Sequence, residues 1–258
     1  MFRKIRIFLL LLALLAVAAS AWRSNARLRD WARNVDVAIY PLAADASPQT
    51  ARFLQTLSND SFDEIETWLE DEARRYGVSQ DKPVRLWLGP QVTEKPPEYP
   101  SRAPGMLDAI LWSLRLRWWA SRHDDIHIRP HVRLFVFFHA APPGARLPHS
   151  IGLREGKIGV IHVFADARQA RQNLVIIAHE LLHTFGAADK YDPASLQPLY
   201  PHGYAEPERQ PLLPQSLAEI MGGRVPVDAQ TSRIPENLSE TRIGAASARE
   251  IGLLKNSD

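Results

Sequence analysis

The chain of 258 residues contains no cysteine. That excludes thiolate metal sites, cysteine nucleophiles and disulfides, so any metal must be held by histidine, aspartate or glutamate. Methionine is scarce, at three residues. There is no Gly-x-Ser-x-Gly elbow and no Walker-type phosphate loop, so neither elbow-type serine catalysis nor nucleotide hydrolysis has support. Repeats and low-complexity stretches are also missing. With 45% hydrophobic residues, the length suits one large domain with a sizeable core, or two small ones.

Excess charge of one sign is missing as well. The formal net charge is +2, and it is unevenly placed. Residues 1–33 hold seven Lys/Arg (Arg3, Lys4, Arg6, Arg23, Arg27, Arg29 and Arg33) against Asp30, which leaves 24 basic and 28 acidic groups in residues 34–258. A body with surplus acid carries no electrostatic footprint for a nucleic-acid partner.

One long apolar run is present, from Ile7 to Trp22 behind a basic start. Its sixteen residues lie between the length of a signal-peptide core and the roughly 20 needed to span a bilayer. Ala19-Ser20-Ala21 fits a cleavage site, whereas Trp22 and the basic residues after it fit an uncleaved anchor. Both readings stay open: residues 1–22 are a signal peptide or an N-terminal membrane anchor, and 23–34 a basic linker. Either places residues 35–258 outside the cytoplasm, membrane-anchored or free in a periplasmic or extracellular space. A chain this long can do without disulfides there when its core is adequate.

Periodicity predicts an α+β domain over 35–258. "VDVAIY" alternates as a half-buried strand stopped by Pro41, and "VRLWLG" from Val84 is a second strand. Between them Ser61 and Glu64 form a capping box for a helix with Phe62, Ile65, Leu69, Ala73 and Tyr76 on one face, closed by Gly77. Leu107, Ile110, Leu111, Leu114 and Trp118 form a stripe at helical spacing that reads as core. "HVRLFVFFHA" reads as a central strand, and "SIGLREGKIGVIHVFA" as a hairpin turning near Glu155 and Gly156. A long helix opens after Asp166 and runs to Gly186. Alternating strands and helices predict a mixed sheet with helices packed on it. Beyond Gly186 the prolines forbid a continuous helix, so an irregular lobe is expected, ending in a short helix near Ala245 to Leu254.

Within the long helix lies "AHELLHTFGAADKYD", residues 178–192. Histidines four apart share one helix face, so His179 and His183 can present imidazoles to one point and begin a tetrahedral zinc site. Glu180 is placed to take a proton from a metal-activated water without ligating. A catalytic zinc needs a third protein ligand. Gly186 can turn the chain back at φ > 0, which makes Asp189 the nearest oxygen donor; Asp192, His202 and Glu206 compete for that role. The bland alternative is a solvated polar face, yet Leu181, Leu182 and Phe185 make this helix largely buried, where two histidines and a glutamate are costly without partners. His123, Asp124, Asp125, His127 and His131 read instead as solvent-facing, and His162 falls in the expected edge strand.

The pattern His179, Glu180, His183, Gly186, Asp189 resembles the metzincin clan of zinc metallopeptidases, in the variant where aspartate replaces the third histidine, as in snapalysin-type enzymes. The resemblance covers residues 179–189 and 220–223 in motif and roughly 35–254 in architecture. It implies a zincin-like fold in which the metal helix follows a sheet whose edge strand binds substrate. A methionine turn then lies under the metal; Met221, 38 residues after His183 and before Gly222 and Gly223, suits it. The clan often has a tyrosine two residues after that methionine. Gly223 stands there instead, so a phenol stabilising the oxyanion has to come from Tyr191 or Tyr204. The implied activity is a zinc-dependent endopeptidase with one catalytic Zn2+ and a protein or peptide substrate, paired to an edge strand between Ile151 and Phe164. A catalytically silent zinc-binding scaffold and an amidase acting on cell-wall peptides are the rival expectations.

Overall fold

β1 (Val35–Ala43) runs through the middle of the molecule, with Val37, Ala38, Ile39, Tyr40 and Leu42 all fully buried. It does not stop at Pro41, as the sequence led one to expect. The Pro41 carbonyl accepts from Val92 N, on the side where the neighbouring strand β2 (Val84–Leu88) has already ended, so the missing N–H of proline leaves no ladder bond unmade. On its other side β1 pairs in parallel with β3 (Val132–His139) as far as Ala43. The chain folds as α+β, in a computed structural model that describes residues 27–99, 105–142, 144, 147–148, 150–153 and 157–255, with Arg6 and Leu15. The apolar run at 7–22 apart from Leu15, residues 23–26 of the basic linker and the turn at Glu155 and Gly156 lie outside the described residues.

The sheet order is β2-β1-β3-β5-β4. β5 (Ile158–Phe164) is parallel to β3, and β4 (Ile151–Leu153) pairs antiparallel to β5 as an edge strand. The expected hairpin is therefore present, but His162 sits on internal β5 and not at the edge. At the opposite edge, β2 has two outward N–H groups satisfied by side chains: Glu66 Oε1 accepts from Leu86 at 2.6 Å and Asn59 Oδ1 from Leu88 at 2.8 Å.

Helices cover both faces. α1 (Pro48–Leu54) starts on Ser47, whose hydroxyl accepts from Gln49 and Thr50 N–H groups, with Pro48 as the first helical residue. α2 (Asp63–Arg75) has acids in its first turn and arginines in its last, matched to the helix dipole, and Gly77 ends it at φ 82°. The capping box lies three residues before the expected place, at Ser58 and Ser61, around a 3-10 turn that precedes α2. α4 (Ala170–Phe185) lies with α2 on one face, joining Val37, Ile39, Ile65, Leu69, Ile177 and Leu181 in one core. α3 (Met106–Arg122) covers the other face, where Trp112, Leu116 and Trp119 meet Tyr40, Phe135 and Phe137.

The face that α3 buries is not the expected one. Leu107, Ile110, Leu111, Leu114 and Trp118, read as core, are all exposed. The helix is apolar on two sides, and the sheet accepts the side that carries two tryptophans. Leu28 and Trp31 are also buried, so the packed body starts inside the segment read as linker. Beyond α4 the chain is irregular to α5 (Ala245–Glu250), and two-residue strands are its only other regular pairs among the described residues. No helix among the described residues is long and apolar enough to cross a membrane.

Candidate metal centre

α4 is buried around most of its circumference, by Leu174, Ile177, Ala178, Leu181, Leu182 and Phe185. His179 and His183 occupy the remaining stripe, one turn apart, with their rings edge to face at 4.7 Å. Gly186 ends the helix at φ 115°, a left-handed conformation that a side chain would strain. The reversed chain brings Asp189 back to the histidines: its Oδ1 lies 3.2 Å from Nε2 of each.

The tautomers follow from the other ring nitrogens. His179 Nδ1 contacts Ile220 O at 2.9 Å, and His183 Nδ1 contacts Ala187 O at 2.8 Å. A carbonyl oxygen only accepts, so both rings carry a proton on Nδ1 and, when neutral, present a lone pair at Nε2. Those two Nε2 atoms are 3.1 Å apart. When both rings are neutral, these two lone pairs and a carboxylate oxygen form a triangle with edges of 3.1–3.2 Å and no proton among them to share. Donors so spaced and bound at ~2.0–2.1 Å subtend angles of roughly 100° at one ion, close to tetrahedral. The donor set fits zinc, and one position stays open.

Glu180 is buried against this triangle. Its carboxylate lies within 4.8 Å of both ring nitrogens, which would allow it to count as a ligand; the Asp189 oxygen, at 3.2 Å, is the nearer third donor. Among the described residues no hydrogen bond fixes this carboxylate. Burial raises it above the usual glutamate range, while the His179 and His183 charges pull it down in part. For Asp189, burial acts upward, but the hydrogen bonds and charges of the two histidines outweigh it and hold the carboxyl well below its usual range. Burial acts downward on His179, yet its hydrogen bond to Asp189 and the Glu180 charge leave it raised.

Met221 and its neighbour Ile220 lie beside the two histidines. Ile220 gives its carbonyl to His179, and Met221, with no exposed surface, accepts from Lys190 N at 2.9 Å, so the turn touches both sides of the centre. Gly222 is required there because a Cβ would sit 2.5 Å from Gly203 O. Tyr191 also reaches the site, its ring 6.5 Å from His179; burial and the Asp189 and Glu180 charges, with a hydrogen bond to Asp189, push its hydroxyl up to about 12. Tyr204 stands elsewhere, edge-on to Tyr200 at 5.4 Å and lining a cleft with Tyr76 and His202.

The competing ligands are otherwise engaged: Asp192 accepts from Ala194 N and Ser195, Glu206 from Ser216 N and Arg209, and His202 lines the Tyr204 cleft. The group from His123 to His131 is only partly solvent-facing, because several of its members tie the sheet together. Asp124 accepts from Tyr40 and pairs with Arg133, His123 contacts Trp119 O, and His131 Nδ1 accepts from Asp36 N. His162 faces α3, on the opposite side of the sheet from α4.

Three supports had no visible mark in the sequence. Lys190 is buried, with its ammonium 2.8 Å from both Glu250 oxygens, and Glu250 also accepts from Ala188 N, so α5 clasps the loop that carries Asp189. Glu219, also fully buried, accepts from Gly222 N, Gly244 N and Ser247, which joins the methionine turn to α5. Ala187 supplies the carbonyl for His183. Partners 60 residues apart, like Lys190 and Glu250, leave no local pattern.

No family model matches the chain, and no curated protein matches it. Among solved structures, one similar chain is the crystal structure of wild-type OgpA from Akkermansia muciniphila, at 13% identity and a TM-score of 0.37, with 87% of this chain and 62% of that one covered. The match thus spans less than two thirds of that protein, and a likeness this loose bears on neither the fold nor the activity.

Proposed function

We propose that this chain is a zinc-dependent endopeptidase acting outside the cytoplasm. The observation that carries the reading is the convergence of His179 Nε2, His183 Nε2 and Asp189 Oδ1 to within 3.2 Å of one another. Such a cluster is stabilised by a cation.

Zinc held by His179, His183 and Asp189 would supply a Lewis acid toward a water and a substrate carbonyl. Glu180 takes the proton from that water as its oxygen attacks the carbonyl carbon, then passes it to the leaving amine nitrogen. Its burial suits both halves of the cycle, because a carboxyl raised above the usual glutamate range is a stronger base toward the water and still surrenders the proton to an amine. Tyr191, kept protonated by its high pKa, can donate a hydrogen bond where the carbonyl oxygen gains charge. Since side chains close the β2 edge, an extended peptide finds its backbone partner along β4, against which α4 packs.

The test is zinc per folded chain, purified without chelator, with circular dichroism as the folding control. One tightly held zinc, lost in Asp189→Ala, is the expected result. A folded protein that takes up no zinc overturns the reading. If zinc binds but a peptide library is left intact, the zinc-binding scaffold stands in its place.

A further inference from the structure

Six large apolar side chains of α3, Met106, Leu107, Ile110, Leu111, Leu114 and Trp118, are 50–80% exposed. At 100° per residue they share an arc of about 140° on the side away from the sheet. Contiguous apolar surface of this kind marks a binding face. Charge accompanies it: Arg115 and Arg122 border one side of the arc, Arg117 lies just inside its other margin between Met106 and Ile110, and all three are exposed. Asp108, whose carboxylate accepts from Gly105 N in the first turn, is the helix's sole acid. The Arg122 guanidinium lies 4.9 Å from the centre of the Trp118 ring. Apolar residues and tryptophan on one face, fringed by arginine, make up the composition of a helix that lies in a membrane interface. Seventeen residues reach only ~25 Å, too short to span a bilayer, and the inner face is already packed on the sheet.

Chain connectivity points the same way. Leu28 is buried in the domain, and only the six peptide links from Trp22, the end of the apolar run, lead to it. Fully extended, they reach about 20 Å. A membrane that holds the run therefore also holds the domain against its surface. Arg27 enters beside the starts of β3 and β5, close enough for its charge to act on His131 and Lys157. α3 runs toward that same end of the sheet: Trp112 lies by His139, at the end of β3, and Trp119 packs on Phe135, earlier in the strand, at 4.5 Å.

We propose that this face of α3 docks on an anionic phospholipid surface, with the apolar stripe between headgroups and acyl chains and the three arginines on headgroup phosphates. The docking is independent of the metal centre and belongs to the metal-free chain equally.

Because the chain has no cysteine, single labels can be placed cleanly. Full-length Leu114→Cys and Leu107→Cys, carrying an environment-sensitive fluorophore, are reconstituted into vesicles of phosphatidylcholine and phosphatidylglycerol containing a lipid-borne quencher. Asp71→Cys on the exposed side of α2 is the control, and co-flotation with vesicles confirms association. The α3 labels should lose at least about half of their emission to the lipid quencher, Asp71→Cys little, and Arg115→Ser/Arg117→Ser/Arg122→Ser should reverse most of the loss. Labels at 107 and 114 that stay open to aqueous iodide in vesicle-bound protein overturn the proposal. Labels shielded from both quenchers overturn it in favour of a second copy of the chain on this face.

Discussion

The Nε2 atoms of His179 and His183 stand 3.1 Å apart, and each ring has committed its Nδ1 proton to a backbone carbonyl oxygen. Neither neutral ring can donate to the other, so their lone pairs face one another with the Asp189 oxygen 3.2 Å from both. The carbonyls responsible, Ile220 and Ala187, belong to the two loops on either side of the centre, so those loops set the tautomers.

Glu180→Gln keeps the size and burial of the side chain and removes its basicity. Zinc content should match that of the unaltered chain, while kcat on any cleaved peptide falls by about 10²–10⁴. Single-turnover assays on zinc-loaded variant measure this, and activity within tenfold of the original would assign the base elsewhere.

Tyr191→Phe removes a hydroxyl that reaches the centre through Asp189 but leaves the ring beside His179. A role at the developing oxyanion predicts a fall in kcat of about 10²-fold with KM nearly unchanged. Comparing kcat with KM separates this role from substrate binding, in which case KM alone would rise. Tyr204→Phe serves as the matched control and should leave both constants in place.

Glu219→Ala leaves the amides of Gly222 and Gly244 and the Ser247 hydroxyl without their acceptor in a fully buried place. A loss of about 3 kcal/mol or more in unfolding free energy is expected. Because Glu219 holds the turn that orients the Ile220 carbonyl, zinc affinity should also fall by about tenfold or more. Urea titration and competition with a chromogenic chelator give the two numbers, and unchanged stability would show that the turn is held by other means.

The parts of this protein legible in its sequence are those whose cause is local. Two histidines and a glutamate on one turn, a glycine where the helix ends and an aspartate just beyond it are bound together by helix geometry, so spacing alone assembles them. Strands such as β3, apolar but for Arg133 and the terminal His139 and flanked on both sides, announce themselves in the same way. α3 was misread because its pattern has two apolar faces and periodicity cannot choose between them; the shape of Tyr40, Phe135 and Phe137 on the sheet does. Pro41 misled for a related reason, since whether its missing N–H matters depends on where β2 ends. Lys190, Glu219 and Glu250 were invisible because their roles exist only once distant segments meet.

His162 links the structure to pH. Its Nδ1 lies 2.8 Å from His139 Nε2, in a cleft shared with Tyr99 and Trp112. Burial first, and the charge of His139 second, hold the His162 imidazole down at about 4. In the unfolded chain the same ring takes a proton below about 6.5. The unfolded state thus binds the extra proton between these values, so the stabilisation is fully present above pH 6.5 and is lost as the pH falls toward 4. Between pH 7 and pH 5 the loss from this one group is about 2 kcal/mol. His162→Asn cannot titrate, and although it changes the absolute stability by removing the contact with His139, its pH profile should be flatter by that amount. Urea unfolding at pH 7, 6 and 5, with chelator present so that metal release contributes equally, compares the two slopes. Parallel profiles would mean that the native imidazole takes up its proton as readily as the unfolded one, and the neutral histidine pair would have to be abandoned.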